Sequence, residues 1–175
     1  MEHEIEGSAK VRAAVGRVRE VIIDDLGAVL SESCSEEQRR SRRFVCDLTV
    51  EFGSGTSLHQ EVVVQAGALQ LVDDVLLVPI QLHANGRERL FPIFEGHLGV
   101  SAERPGTRIR LTGRYTVPLG RLGHAGEGVL GGHRIATESL AHYVEEIARR
   151  VDAEVNRRVT SGSHHAEERS EHFIG

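Results

Sequence analysis

The sequence predicts an α+β fold in which a curved antiparallel sheet of about six strands wraps around one long C-terminal helix. Two observations carry this prediction. Between Phe44 and Tyr115, apolar and polar residues alternate along several segments joined by short turns, which is typical of half-buried antiparallel strands. From about His133 to Arg158, apolar residues instead recur every three to four positions, which is typical of an amphipathic helix.

Length and composition narrow the class of protein. The chain has 175 residues, of which 39% are hydrophobic, and a formal net charge of −5. We place one domain at residues 1–158 and expect a disordered polar tail at 159–175. The acidic charge disfavours nucleic-acid binding, and no apolar run reaches the roughly 18 residues of a membrane span. Since no secretory signal follows Met1, and Cys34 and Cys46 are the two cysteines, we predict a cytoplasmic protein with free thiols.

The N-terminal third of the sequence predicts one strand followed by a helix that is interrupted. Residues 3–13 carry apolar side chains at one parity, which indicates the strand. Apolar residues then follow at helical spacing, namely Val15, Val18, Ile22, Leu26 and Val29. Gly27 is expected to break this helix into two pieces, and Ser31 to Arg43 is expected to be an exposed connector.

Five further strands are predicted at residues 44–52, 58–66, 75–84, 90–102 and 108–115. Each has one apolar and one polar face. Turns are predicted at Gly53–Gly55, Asn85–Gly86 and Arg104–Gly106, because Gly, Asn and Pro favour the backbone angles of tight turns. Connections this short make neighbouring strands antiparallel.

The C-terminal helix is expected to cover the apolar face of the sheet. Its stripe comprises Ile135, Leu140, Tyr143, Val144, Ile147, Val151 and Val155. A helix of about 25 residues is roughly 40 Å long and can cross the whole sheet. One helix covers such a sheet incompletely, so we expect a cavity between the two, lined by the apolar strand faces.

The second half of the chain resembles a known superfamily. The segments FEGHLGV, GTRIRLTGRYTVPLGRLG and HRIATESLAHYVEEIARRV are similar to the last two strands, the Gly-rich joint and the final helix of bacterial START-like (SRPBCC) proteins. This superfamily has the helix-grip fold and includes polyketide cyclases and lipid-transfer domains. The resemblance covers residues 3–156 and implies a helix-grip fold whose cavity often holds a small hydrophobic molecule.

Strand parity and the helix stripe select ten candidate ligand-binding residues, namely Leu48, Val78, Ile80, Phe94, Leu98, Leu111, Tyr115, Leu140, Tyr143 and Ile147. They would either line a cavity or pack as a filled core. A buried tyrosine hydroxyl needs a partner. The hydroxyls of Tyr115 and Tyr143 would therefore either orient a ligand carbonyl or bond to the backbone or solvent.

The polar face of the sheet offers an alternative site. Glu95 and His97 lie two apart on one strand, so they share a face and suggest an acid/base pair. We expect them on the outer face together with Arg108, Arg110 and Arg114, where cross-strand ion pairing is the simpler interpretation. An inverted strand parity would instead turn these charges into the cavity.

No catalytic residue, metal site or cofactor is predicted. The histidine-rich tail offers no fixed ligand geometry for a metal. The Gly-rich segment Gly120–Gly128 lacks the order of a phosphate-binding loop and is interpreted as a flexible joint. The arginines of Arg39–Arg43 are interpreted as part of a solvated connector.

Three functions remain open at this point. The first is the binding of a small hydrophobic molecule without chemistry. The second, implied by the resemblance, is an enzyme of the polyketide cyclase or dehydratase kind, in which Tyr115 or Tyr143 would be the acid or base. The third is a protein-interaction module with a filled core. The sequence predicts no oligomeric state and no particular ligand.

Overall fold

The fold consists of seven strands and four helices in the part of the chain that the structure describes. This computed structural model describes residues 2–52, 56–85, 93–116 and 126–171, and the side-chain environments outside 49–58, 126–135 and 162–171. In chain order the elements are β1 (Glu2–Val11), α1 (Val15–Asp24), α2 (Leu26–Leu30), α3 (Glu36–Ser41), β2 (Arg43–Phe52), β3 (Thr56–Ala66), β4 (Gln70–Val72), β5 (Val75–Ala84), β6 (Ile93–Ala102), β7 (Thr107–Thr116) and α4 (Gly126–Glu171).

The six long strands form one antiparallel sheet with the order β1-β7-β6-β5-β3-β2, and the short β4 pairs with β5. The helix α4 packs on one face of this sheet, mainly against the two edge strands β1 and β2. The predicted α+β class, a curved antiparallel sheet around a long C-terminal helix, is confirmed. We call the face toward α4 the inner face.

The two ends of the sheet differ in the elements that adjoin them. At the first end, β1 begins at Glu2, β5 ends at Ala84, β6 begins at Ile93 and β7 ends at Thr116. We call this the loop end. At the opposite end β1 leads into α1 and α2, and we call this the helical end.

The helices α1 and α2 share the covering of the inner face with α4. Val18, Val21 and Ile22 of α1 and Leu30 of α2 are buried. The helix α1 packs against β6 and α4, and α2 packs against β2 and α4. From the sequence, the C-terminal helix was expected to cover the sheet incompletely, and at the helical end α1 and α2 supply part of the covering.

The break between α1 and α2 lies at Asp25 and not at Gly27. The Asp25 carboxylate accepts a hydrogen bond from the Ala28 N–H at 3.0 Å, so it caps the N-terminus of α2. Gly27 lies inside α2 and is buried closely against Cys34 and Phe44. A capping aspartate, rather than a flexible glycine, ends the first helix.

The polar connector contains a helix that the sequence analysis did not predict. In α3 the Gln38 N–H donates to the Ser35 hydroxyl at 3.2 Å, and the Ser35 N–H donates to the Gln38 side chain at 2.9 Å. This capping box satisfies two backbone donors of a six-residue helix. No residue of α3 is buried, which agrees with the expected exposure of the segment.

The strand β4 was also missed, because three residues are too short for an alternation to show. It forms a hairpin with β5 through the two-residue turn Asp73–Asp74, and Val72 pairs with Val75. Both turn residues have positive φ, 47° and 59°, as a type I′ turn requires. Aspartate tolerates positive φ better than most residues. The pair Asp73–Asp74 was therefore the feature of the sequence that could have predicted this turn.

The helix α4 extends beyond both predicted ends. It begins at Gly126 rather than about His133, and it ends at Glu171 rather than Arg158. The Thr160 and Ser161 hydroxyls donate to the carbonyls of Asn156 and Arg157 at 3.0 Å, so these polar residues stay on the helix. The division into a domain and a disordered tail at residue 159 stays a prediction, and residues 172–175 lie outside the described ranges.

Candidate ligand-binding site

The candidate site lies on the inner face, where alternation along each strand directs every second side chain toward α4. All ten candidate residues are buried. On β1, β2, β3, β5, β6 and β7, the described inward positions carry no Lys, Arg, Asp or Glu. The alternative in which the parity is inverted and charges line the interior is therefore excluded for these strands. The side chains of Val50 and Ile135 lie outside the described part.

One inward row of side chains crosses the whole sheet. The register of neighbouring strands places in line Phe44, Val64, Leu82, Phe94, Tyr115 and His3. Two candidate residues, Phe94 and Tyr115, are direct cross-strand neighbours in this row. Aromatic rings therefore occupy three adjacent strands at the edge formed by β6, β7 and β1.

The inner face is buried along its whole described length. Val78 and Leu98 in the middle of the sheet and Val62 nearer the loop end are all 0% exposed, so no water-sized space touches them. The larger exposed fractions are scattered, with 7% for Leu48 and 8% for Leu26 at the helical end. The described interior is thus closely packed at both ends of the sheet.

The ring of Phe94 lies over a pair of glycines. Gly96 and Gly113 face each other across β6 and β7, and a Cβ on either one would come within 2.7 Å of the Phe94 Cζ. Such a Cβ would also meet the backbone of the neighbouring strand, at 2.1 Å for Gly96 and 2.3 Å for Gly113. The pair allows β6 and β7 to pack without side chains at this point, and Phe94 covers the surface that the glycines leave bare.

Tyr143 uses its hydroxyl within the protein. Its O–H donates to the Leu30 carbonyl at 3.0 Å, which joins α4 to α2. Burial raises the pKa of Tyr143 well above its ordinary value, and burial also raises the pKa of the nearby Cys46 thiol to about 11. Of the two alternatives for this hydroxyl, the backbone partner is the one that the structure shows. Cys34 and Cys46 are free thiols.

Tyr115 has a different neighbour. Its ring stacks on the imidazole of His3, with ring centroids 5.3 Å apart and an interplanar angle of 24°. Burial raises the pKa of Tyr115, so its hydroxyl stays protonated at neutral pH. His3 was not among the predicted site residues. The alternation along β1 could have predicted its position, because His3 lies two residues before the buried Ile5 and therefore on the same face of the strand.

The charged residues of the outer face are paired, as the simpler interpretation expected. The Arg110 Nε lies 3.2 Å from Glu6, and the Arg114 guanidinium lies 3.6 Å from Glu2. Their partners come from β1 rather than from Glu95. Each pair is solvent-exposed and contributes little to stability, on the order of 0–1 kcal/mol.

Glu95 and His97 line an open groove on this outer face. Its volume is about 1240 Å³, and its walls come from β1, β3, β5, β6 and β7. The Gln81 amide donates to the Glu95 carboxylate at 2.9 Å. The predicted acid/base pair thus shares a face, but that face is opposite to the candidate cavity.

Two arginines of the connector form ion pairs. Arg39 binds Asp25 at 3.0 Å, and Arg40 lies 3.5 Å from Glu36. Within the described ranges no group of three or more potential metal ligands is brought together. Most of the Gly-rich segment predicted to be a joint lies outside those ranges, and its last residues, 126–128, begin α4.

Several solved structures are similar to this fold. The chain is similar to the protein TTHA0849 from Thermus thermophilus, with 19% identity, a TM-score of 0.53, and coverage of 86% of this chain and 98% of that one. The fold is START-like. A weaker likeness, with a TM-score of 0.44 and 13% identity, is to a START superfamily protein from Mycobacterium smegmatis, over 89% of this chain and 98% of that one.

A further likeness is to StfQ, a di-domain ARO/CYC protein from the steffimycin biosynthetic pathway. The identity is 17% and the TM-score 0.49, and the likeness covers 91% of this chain and 52% of StfQ. No protein-family model and no curated protein matches the chain. Among its described helices, none has the length and apolar character of a membrane span.

Proposed function

We propose that this protein binds a small, predominantly apolar molecule between the inner face of the sheet and α4. The observation that carries the proposal is the chemistry of this interior. The ten candidate residues, which come from both the sheet and α4, are all buried, and none of them is charged. An apolar interior between a curved sheet and a helix favours an apolar ligand.

The chemistry of the lining supports an apolar ligand. Seven of the ten candidate residues are Leu, Ile or Val, and the other three are aromatic. No carboxylate or permanent cation stands at the inward strand positions that the structure describes. The superfamily that the sequence resembles often binds hydrophobic small molecules, which agrees with this lining.

The expected affinity is moderate. Burying about ten methylenes contributes roughly 8 kcal/mol before the losses of association. A large part of this free energy is offset by the loss of translational and rotational freedom and by the ordering of side chains. We therefore expect dissociation constants on the order of micromolar or weaker.

Catalysis in the same cavity is the less supported alternative. Tyr115 is buried near the loop end, and the raised pKa of its hydroxyl makes it a hydrogen-bond donor rather than a base at neutral pH. Tyr143 already donates to Leu30. A cyclase-like reaction that uses Tyr115 as its acid would lose turnover in Tyr115→Phe, whereas an apolar ligand would still bind this variant.

Enlarging a buried side chain of α4 tests the binding proposal. The variant Leu140→Trp puts a larger side chain at a buried position of α4 beside Gly7 of β1, and Val159→Trp makes a matched change at an exposed position of the same helix. Binding of the uncharged fluorophore N-phenyl-naphthylamine is followed by fluorescence, and circular dichroism checks that both variants are folded. We expect wild type and Val159→Trp to bind alike and Leu140→Trp to bind at least tenfold more weakly. Equal binding by all three proteins would contradict the proposal.

A further inference from the structure

The strand β1 has one open edge. It pairs with β7 on one side only, so it is an edge strand of the sheet. Every second residue of such a strand directs its N–H and C=O away from the sheet. Among the described residues, none on the open side forms a hydrogen bond with the backbone of Ser8, Ala9 or Lys10. This part of β1 can therefore pair with a further strand.

A groove runs between this open edge and α4. Its volume is about 530 Å³, and it is lined by Ser8, Ala9, Lys10, Arg108, Glu145, Ala148, Arg149 and Asp152. Beside the groove α4 lies close to β1, because a Cβ on Gly7 would come within 3.2 Å of the Ala141 backbone. Three residues of a strand and the helical segment 145–152 each span roughly 10 Å. The groove is thus as long as three residues of extended chain.

The cations that line the groove already have carboxylate partners. The Lys10 ammonium lies 2.7 Å from the Glu103 carboxylate, which also accepts a hydrogen bond from Arg108 at 2.8 Å. Arg149 pairs with Glu146, three residues before it on α4. These partners compensate the positive charge along the groove.

Two carboxylates on the α4 side have no such compensation. Glu145 and Asp152 line the groove, and within the described part of the chain neither forms an ion pair. They are seven residues apart, which is two turns, so they lie on the same face of α4. The groove therefore combines unpaired backbone groups on its strand side with uncompensated negative charge on its helix side.

We propose that this groove binds an extended peptide segment with basic side chains, which pairs with β1 as a further strand of the sheet. In this mode of recognition, main-chain hydrogen bonds supply affinity and side-chain contacts supply specificity. Here the specificity comes from Lys or Arg side chains of the peptide that reach Glu145 and Asp152. An acidic segment would instead bring like charges together.

This peptide site is separate from the interior. None of the ten candidate residues between the sheet and α4 lines the groove. The inference therefore goes beyond the proposed function and does not depend on it. A peptide in the groove and an apolar molecule in the interior would bind to different surfaces of the same chain.

Three dye-labelled peptides test the proposal by fluorescence anisotropy. They are Val-Lys-Val-Thr-Val-Lys, its counterpart with Glu in place of both Lys, and the fully N-methylated lysine peptide, which donates no main-chain hydrogen bond. The protein is wild type or the double variant Glu145→Lys/Asp152→Lys. The matched control is Glu20→Lys/Glu37→Lys, which changes the net charge equally at exposed positions that do not line the groove. Circular dichroism checks that both variants are folded.

We expect wild type and the control to bind the lysine peptide at least fivefold more tightly than either of the other two peptides. The variant Glu145→Lys/Asp152→Lys should lose the preference for lysine over glutamate.

Four outcomes would overturn the proposal in different ways. Equal binding of the N-methylated peptide would overturn pairing with β1, and a lysine preference that survives in Glu145→Lys/Asp152→Lys would overturn the role of the two carboxylates. A wild-type dimer that dissociates in this variant, measured by light scattering, would put a second copy in the groove in place of a peptide. If no peptide binds wild type, the peptide site is overturned. The binding of N-phenyl-naphthylamine tests the proposed function separately, so the two failures are distinguishable.

Discussion

At the scale of single residues, Glu103, in the turn between β6 and β7, binds side chains from two strands, β1 and β7. Its carboxylate lies 2.7 Å from the Lys10 ammonium of β1 and accepts from the Arg108 guanidinium of β7 at 2.8 Å. Hydrogen bonds from Arg108 first, and then from Lys10, lower the pKa of Glu103 from 4.5 to about 2. The Glu103 side chain is partly exposed, so the effect is partly screened by solvent and salt.

This lowered pKa predicts how stability depends on pH. Because the folded state holds the charged form, Glu103 contributes stability above pH 4.5, and this contribution is lost as the pH falls toward 2. The free energy of unfolding in urea is measured from pH 7 to pH 2 for wild type and Glu103→Gln. We expect the difference between the two proteins to be largest near pH 7 and to shrink below pH 4.5. A difference that stays constant over this range would contradict the pairing. Glu37→Gln, which removes a carboxylate from the exposed helix α3, is the control for the loss of a charge.

The position of a side chain could be predicted from sequence where the alternation along a strand determines which face of the sheet it occupies. The ten inward candidates follow from alternation, and all are buried as that pattern requires. Parity also places His3 inward, although its charged neighbours Glu2 and Glu4 hide the signal in the sequence. The partner of the Tyr143 hydroxyl was not predictable, because Leu30 is 113 residues away and no local pattern links them.

At the scale of elements, the contact between β1 and α4 depends on a glycine. A Cβ on Gly7 would lie 3.2 Å from the backbone of Ala141 and from the Leu140 carbonyl oxygen. Backbone atoms of a packed helix yield less easily than the end of a flexible side chain. The absence of a side chain at Gly7 thus sets the distance between the edge strand and α4.

Alanine substitutions test this close approach. Gly7→Ala is expected to lower the free energy of unfolding by about 1–3 kcal/mol, because the helix must move away from the strand. Gly99→Ala on β6 is the matched control, since its Cβ would make ordinary contacts at 3.6 Å or more. That change should be neutral or stabilising by a few tenths of a kcal/mol. Urea denaturation measures the free energy of unfolding of both variants. Equal losses in the two variants would contradict a close approach of α4 to β1 at Gly7.

The long strands were predictable from sequence, and the short elements were not. Strand β5 was predicted with its observed bounds, because ten residues show a clear alternation. The three residues of β4 and the six of α3 are too few to display a period. The ends of α4 were misplaced for another reason, since polar and glycine-rich residues lower helix propensity without preventing the helix.

At the scale of the whole molecule, three helices share the covering of the inner face. At the helical end, α1, α2 and α4 close over the sheet, and buried residues such as Val21, Val29 and Ile109 leave almost no exposed surface. Leu48 and Phe94, nearer the loop end, are also buried. The sequence predicted a sheet around a helix, but it did not predict that α1 and α2 share this covering. Which helices share the inner face depends on tertiary packing rather than on any local pattern.

The most direct test of the central claim is native mass spectrometry of the full chain, as purified and after incubation with an excess of 2-naphthol. The account predicts a one-to-one complex, either with a small molecule retained from purification or with the added probe. Solvent extraction then identifies the chemical class of any retained molecule. Detection of the bare 19.2 kDa chain alone under both conditions would contradict a ligand site and would favour a filled core whose surface carries the function.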